Sequence, residues 1–414
     1  MFFQIYHYPR MVSARTFDFV MDAVPTTRRT VLTGFAGLAV AMGIGRFALT
    51  PLLPLLQADG LRLSQGAWLA DANYLGYVLG ALAYLALNPM PSRAARGGLV
   101  AVSLFTLSMA PSPPFVWSLL LRLAAGVASA FVLVGISAWA LGAMVGPRRT
   151  EAAGGVYAGV GIGILAAGLA AMAVGLAGET AAVGWWLVGS IAAAVTAGIW
   201  PNLRSAGLTP TAVGKERPAH SRLTLVACYG AFGFGYILPA TLLPALAREL
   251  VADPAVFGWT WPIFGAAAAV STWVCGALLR RASPRILWAV SQLVMAVGVL
   301  LPAAAPRSIA SLVASALCVG GTFMVVTMSG LQEARRVAGT AAPRLIAAMT
   351  AAFGTGQLIG PLLVGSGADV RWALAAAALL LLLSSTALLV RDPAAPFTTS
   401  REISLSTRAR WSSS

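Results

Sequence analysis

Charged side chains are scarce in this chain. Asp, Glu, Lys and Arg together make up 10% of its 414 residues, against about a quarter in a soluble domain. So little polar surface excludes an ordinary water-soluble globule, and a mean hydropathy of +0.82 points to a polytopic membrane protein. Lysine is nearly absent, Lys215 being the one example. Both histidines, His7 and His220, stand outside the apolar runs, which argues against a histidine-based metal or catalytic centre within them. Cys228, Cys275 and Cys318 fall inside apolar segments with no CxxC spacing, so they read as packing residues. A glycine loop at P-loop spacing is missing too, and "GIGRFA" fits a dinucleotide pattern only inside an apolar run with no preceding strand. The expectation is no cofactor, no metal, no nucleic-acid partner and no enzyme.

What the chain does have is apolar runs. Crossing about 30 Å of hydrocarbon takes about 20 mostly apolar residues in a helix. Twelve such segments are predicted, near 30–53, 67–87, 97–111, 115–145, 153–176, 181–200, 223–243, 257–279, 286–301, 309–331, 345–364 and 372–390. With the loops assigned alternately to two sides, 22 of the 28 basic residues collect on the side of both termini. Arg62, Arg248, Arg307 and Arg371 take the other side, while Arg46 and Arg122 stay within helices. That asymmetry places both termini in the cytoplasm and the chain in a cell (inner) membrane, and an odd number of spans would scramble it.

The predicted organisation follows. Residues 1–29 lack a signal peptide's apolar core and form a mobile cytoplasmic arm. A six-helix bundle over 30–200 is followed by a polar, Pro- and Gly-containing cytoplasmic linker at 201–222, "PNLRSAGLTPTAVGKERPAHSR". A second six-helix bundle covers 223–391, and 392–414 is a cytoplasmic tail. The two bundles are copies of one unit. "GIGRFALTPLLPLL" (43–56) aligns with "GFGYILPATLLPAL" (233–246), matching Gly43, Gly45, Leu52, Leu53, Pro54 and Leu56 to Gly233, Gly235, Leu242, Leu243, Pro244 and Leu246. "GIGIL" from Gly161 meets "GTGQL" from Gly354, and Gly126 meets Gly320. Two pseudo-symmetric bundles joined by a linker are the pattern of a repeat-built transporter, its site between the halves near midplane.

Family resemblance enters on these motifs. "RLAAGVASA" (122–130) resembles the fourth-helix pattern of the major facilitator superfamily, an arginine with glycine four residues on. "GTGQLIGP" (354–361) resembles that superfamily's antiporter-type glycine–proline helix, here on the eleventh helix. "AMGIGRFALTPLLPLLQ" followed by "WLADANYLGYVLGAL" resembles its YbfB/YjiJ-type branch. The resemblance covers about residues 30–391 and implies a proton-linked or uniporting carrier. The family's acidic cytoplasmic motif is lacking: "GALAYLALNPMPSRAAR" from Gly80 and "GALLRRASPR" from Gly276 have no aspartate, which puts a charge-relay latch in question.

Candidate site residues come from charge at depth. An arginine inside the membrane costs about 2.5–3.5 kcal/mol on insertion scales, so it faces water or a partner. Helical rise puts Arg46 about 12 Å and Arg122 about 10 Å below the outer boundary. Together they favour an anionic or strongly hydrogen-bonding solute; the competing reading is that each pairs with helix carbonyls or Asp71 and holds the bundle shut. Asp71, about 5 Å deep, is the candidate proton carrier or ion-pair gate, or else an interfacial carboxylate. The face of Asn73, Tyr77 and Tyr84 carries Gly76 and Gly80 and reads as packing. Tyr157, Tyr236 and Gln357 are candidate ligand contacts, with ordinary bundle hydrogen bonding as the alternative. Gly155, Gly159 and Gly163 form a ridge for close helix approach, sliding or static.

The expected protein is all-α, with twelve transmembrane helices. It acts as a monomeric secondary transporter of an anionic or polar small molecule, coupled to protons and working by alternating access. The alternatives are a drug or metabolite exporter with an apolar cavity and, further off, a non-transporting sensor.

Overall fold

A computed structural model describes residues 28–143, 149–203, 219–250, 259–305, 307–365 and 369–390. The arm through residue 27, the linker stretch 204–218 and the tail from 391 lie outside the described residues. Those described are helical with short connections: α1 (Arg28–Ala58), α2 (Leu63–Leu87), α3 (Pro91–Leu107), α4 (Phe115–Ala143), α5 (Arg149–Leu176), α6 (Ala181–Ile199), α7 (Ala219–Leu250), α8 (Thr260–Leu278), α9 (Pro284–Ala304), α10 (Ile309–Ala338), α11 (Ala342–Gly365) and α12 (Val370–Val390). Among the described residues, nine stretches are long and apolar enough to cross a membrane. The 17-residue α3 is too short for that measure, and α2 carries Asp71, Asn73 and three tyrosines. Helices α10 and α11 run on as one stretch, 309–360, through a single 3-10 turn, Gly339–Ala341.

Helix limits differ from the predicted segments mainly at polar ends. Pro91 opens α3 six residues before the segment predicted at 97, because a first-turn proline loses no hydrogen bond. Arg93 and Arg96 therefore ride on a helix rather than in a loop. Gln65 caps the start of α2, its Oε1 accepting from the Arg62 N–H at 2.9 Å, so α2 begins at Leu63. Asp71 then stands about 12 Å along the helix rather than about 5 Å.

Glycines set how closely the helices approach. A side chain at Gly43 would collide with the Gly163 backbone of α5, and one at the aligned Gly233 with the Phe353 carbonyl of α11. Gly126 of α4 lies against the Asn73 carbonyl of α2, and its mate Gly320 of α10 against Phe264 of α8. Equivalent glycines thus serve equivalent helix pairs. The ridge of Gly155, Gly159 and Gly163 packs on Val31, Phe35 and Ala39 of α1, inside the first six helices. A second α5 face, Gly154, Gly161 and Gly168, meets Thr272, Ala269 and Pro262 of α8. The first and last six helices join there and where Tyr77 of α2 meets Phe353 of α11, ring centres 6.5 Å apart.

Candidate functional site

The backbone of α1 breaks where the sequence places its buried arginine. From Ala39 to Arg46 it widens into a π turn, and the Phe47 N–H reaches back to the Met42 carbonyl at 3.3 Å. Thr50 then donates to Phe47 rather than to Arg46, and Pro51 and Pro54 have no N–H to give. Carbonyls left over by such a break need outside donors. Arg122 of α4 supplies them: its Nη1 donates to the Gly45 oxygen and its Nη2 to the Arg46 oxygen, each at 3.0 Å. Asn73 of α2 donates to the Arg122 carbonyl at 2.9 Å, and the Ser129 hydroxyl to the Ala41 carbonyl at 2.9 Å. The π turn is therefore clamped by α2 and α4.

With both Nη atoms of Arg122 engaged by carbonyls, Arg46 is the cation of the two with more capacity to spare. It is 3% exposed, and its Nη2 donates to Gln357 Oε1 on α11. Its guanidinium carbon lies 3.9 Å from the ring centre of Tyr77 and 5.4 Å from those of Phe47 and Phe353. A hydrogen bond involving a charge contributes about 1.5–3 kcal/mol and a desolvated cation–π contact about 2 kcal/mol. These offset the insertion cost of about 2.5–3.5 kcal/mol, so Arg46 is tolerated without a carboxylate. Among the described residues none pairs with it, and its Nε and Nη1 are buried without partners.

Aromatic rings close around this group. Tyr236 of α7 stacks on Phe323 of α10, centres 4.4 Å apart and planes 16° apart, and lies 6.0 Å from Phe353. Phe47 meets Phe323 at 5.9 Å and Trp261 of α8 at 6.2 Å, edge to face. The Tyr236 hydroxyl, Gln357 Nε2 and Trp261 Nε1 are also buried without hydrogen-bond partners.

The structure therefore brings Arg46, Tyr236 and Gln357 together around Phe353. Arg122 is adjacent, occupied by the α1 backbone. Tyr157 stands apart, its hydroxyl donating to Ser137 Oγ at 2.9 Å; Arg335 of α10 caps the same stretch, its Nη2 donating to the carbonyls of Ser137 at 2.8 Å and Ala138 at 3.1 Å. Asp71 is half-buried and, among the described residues, forms no ion pair with either arginine. Sequence reasoning missed Phe47, Phe353 and Tyr77. Phe353 lies four residues before Gln357, on the same helix face, a spacing that signalled it. Tyr77 was assigned to packing through Gly76 and Gly80; the face does pack on Leu123 and Val127, and Tyr77 at its edge also covers Arg46.

The family model described as "Uncharacterised MFS-type transporter YbfB" matches residues 38–392. No curated protein sequence matches the chain. Among solved structures, the human organic anion transporter MFSD10 (TETRAN) is similar in fold, with a TM-score of 0.67 and 17% identity, covering 87% of this chain and 99% of that one.

Proposed function

Because this chain belongs to the MFS-type transporter family of YbfB kind, and is thus a multi-pass membrane transporter, we propose that it is a secondary carrier for a small organic anion held at Arg46. Twelve spans with both termini in the cytoplasm, and alternating access by one six-helix half rocking on the other, complete the reading. The observation that carries it is a buried guanidinium at the seam with two partnerless nitrogens and no carboxylate partner among the described residues. A guanidinium takes up carboxylate or phosphate oxygens through charge-assisted hydrogen bonds. The anions named for the human neighbour belong to that protein; the argument here rests on Arg46.

Proteoliposomes given a panel of organic acids, sugars, amino acids and drugs under pH gradients of either sign test this. Transport of acids is expected, lost at least tenfold in Arg46→Ala. Proton coupling through Asp71 would show as uptake by Asp71→Asn that no longer follows the pH gradient. The aromatic walls favour one alternative, an exporter of apolar compounds; efflux of uncharged hydrophobic solutes undiminished by Arg46→Ala would select it.

A further inference from the structure

Resting on the reading of Arg46 as an anion site, we infer that the substrate is an aromatic monocarboxylate, carrying a single negative charge and no ammonium group. The count of charges sets the first limit. Arg46 has two free nitrogens at the seam, Nε and Nη1, whereas Arg122 keeps only its Nε, both of its Nη atoms being taken by the Gly45 and Arg46 carbonyls. A dianion would have only Arg122 for its second charge, and with both Nη atoms held by carbonyls that guanidinium offers no fork to it. The second charge would be buried without its hydrogen bonds, which is unfavourable in a low-dielectric interior.

The kind of unpartnered atom sets the second limit. Among the buried groups without partners are Arg46 Nε and Nη1 and Gln357 Nε2 at the guanidinium, and the Tyr236 hydroxyl and Trp261 Nε1 on the rings around it. All but the hydroxyl are donors only, and the hydroxyl can donate. Such a set suits a ligand that accepts hydrogen bonds at one end. An amino acid would bring an ammonium that needs acceptors, and a sugar would bring hydroxyls needing both kinds of partner.

The walls set the third. Tyr236 stacks on Phe323, Trp261 stacks on Phe264 at 5.3 Å with planes 6° apart, and Phe47 meets Trp261 and Phe323 edge to face. A ligand entering between these rings replaces ring–ring contacts. A flat aromatic body restores them, whereas an alkyl or hydrated body does not. Gln357 Oε1 keeps its hold on Arg46 Nη2 while Arg46 Nη1 and the Tyr236 hydroxyl take the carboxylate.

The test is calorimetric titration of the full chain in lipid nanodiscs with benzoate, phthalate, phenylalanine, benzamide, acetate and succinate. Benzoate is expected to bind at least tenfold more tightly than each of the others. Tyr236→Phe, which keeps the stacking ring, is expected to weaken benzoate several-fold, and Arg46→Gln to remove the preference for benzoate over benzamide. Tighter binding of succinate, phthalate or acetate overturns the aromatic monoanion and leaves the anion reading standing. Preference for phenylalanine or benzamide overturns both, and so does an intact benzoate preference in Arg46→Gln. Binding of none of the six overturns the inference.

Discussion

Two arginines at similar depth do different work, and the difference lies in which atoms remain free. Both Nη atoms of Arg122 serve carbonyls that the π turn of α1 releases. Arg122→Ala would leave two oxygens buried without donors, at a cost of about 2–6 kcal/mol at about 1–3 kcal/mol each. The expected result is a lower thermal unfolding midpoint of the purified protein in detergent. Arg122→Lys should recover only part, because a point donor cannot serve two carbonyls as a fork does. An unchanged midpoint with lost transport would instead make Arg122 a direct substrate contact. The sequence announced both arginines by their cost at depth. Their division of labour was hidden, because it depends on which backbone oxygens α1 turns toward α4. Gly43, Gly45, Pro51 and Pro54 around Arg46 were the local sign that α1 would not run as a regular helix.

Several arginines tie helix ends together. Arg96 of α3 donates to the Trp200 carbonyl just past α6 at 3.1 Å, and Arg285 of α9 to the Leu388 carbonyl near the end of α12 at 2.6 Å. The same helix pair is tied in each copy, α3 to α6 and α9 to α12, and cations at helix C-termini are favoured by the helix dipole. Arg335 makes the same kind of contact from α10 to α4, across the two six-helix groups. Neither copy has the family's acidic loop motif, and here an arginine on carbonyl oxygens joins the helix ends. Arg335→Ala should loosen α4 from α10. With Cys228, Cys275 and Cys318 replaced by serine and the buried Ala138 changed to cysteine, a membrane-permeant maleimide should label the Arg335→Ala variant several-fold faster. Equal rates would show that Arg335 does not hold this closure. Helix identity was readable from apolar runs, but helix limits were not, since Pro91 at a first turn and the Gln65 cap extend α3 and α2 through polar residues.

For the whole molecule, the first and last six helices meet along α5–α8 and α2–α11, where glycines bring backbones together. Val78 of α2 faces Gly354 of α11 closely enough that a Cβ on the glycine would meet the valine methyl at 2.6 Å. Val78→Cys with Gly354→Cys should form a disulfide on oxidation and stop transport, and reductant should restore it. Full transport by the cross-linked protein would count against relative movement of the halves. The glycine spacing on α5 carried this seam: Gly155, Gly159 and Gly163 recur every four residues and face α1, while Gly154, Gly161 and Gly168 recur every seven and face α8. The four-residue ridge stood out in the sequence, yet it is the seven-residue row that joins the halves.

By itself the sequence determined the solvent this protein lives in, because a chain this short of charge cannot cover itself with polar surface. It also determined the duplication, since glycines and prolines in register mark backbone positions that close packing cannot exchange for larger residues. Tertiary structure alone decided what each buried charge meets. Gln357 lies more than three hundred positions from Arg46 and touches it only because α1 and α11 face each other across the seam. Periodicity says which side of a helix is buried, but not which of the other helices it is buried against.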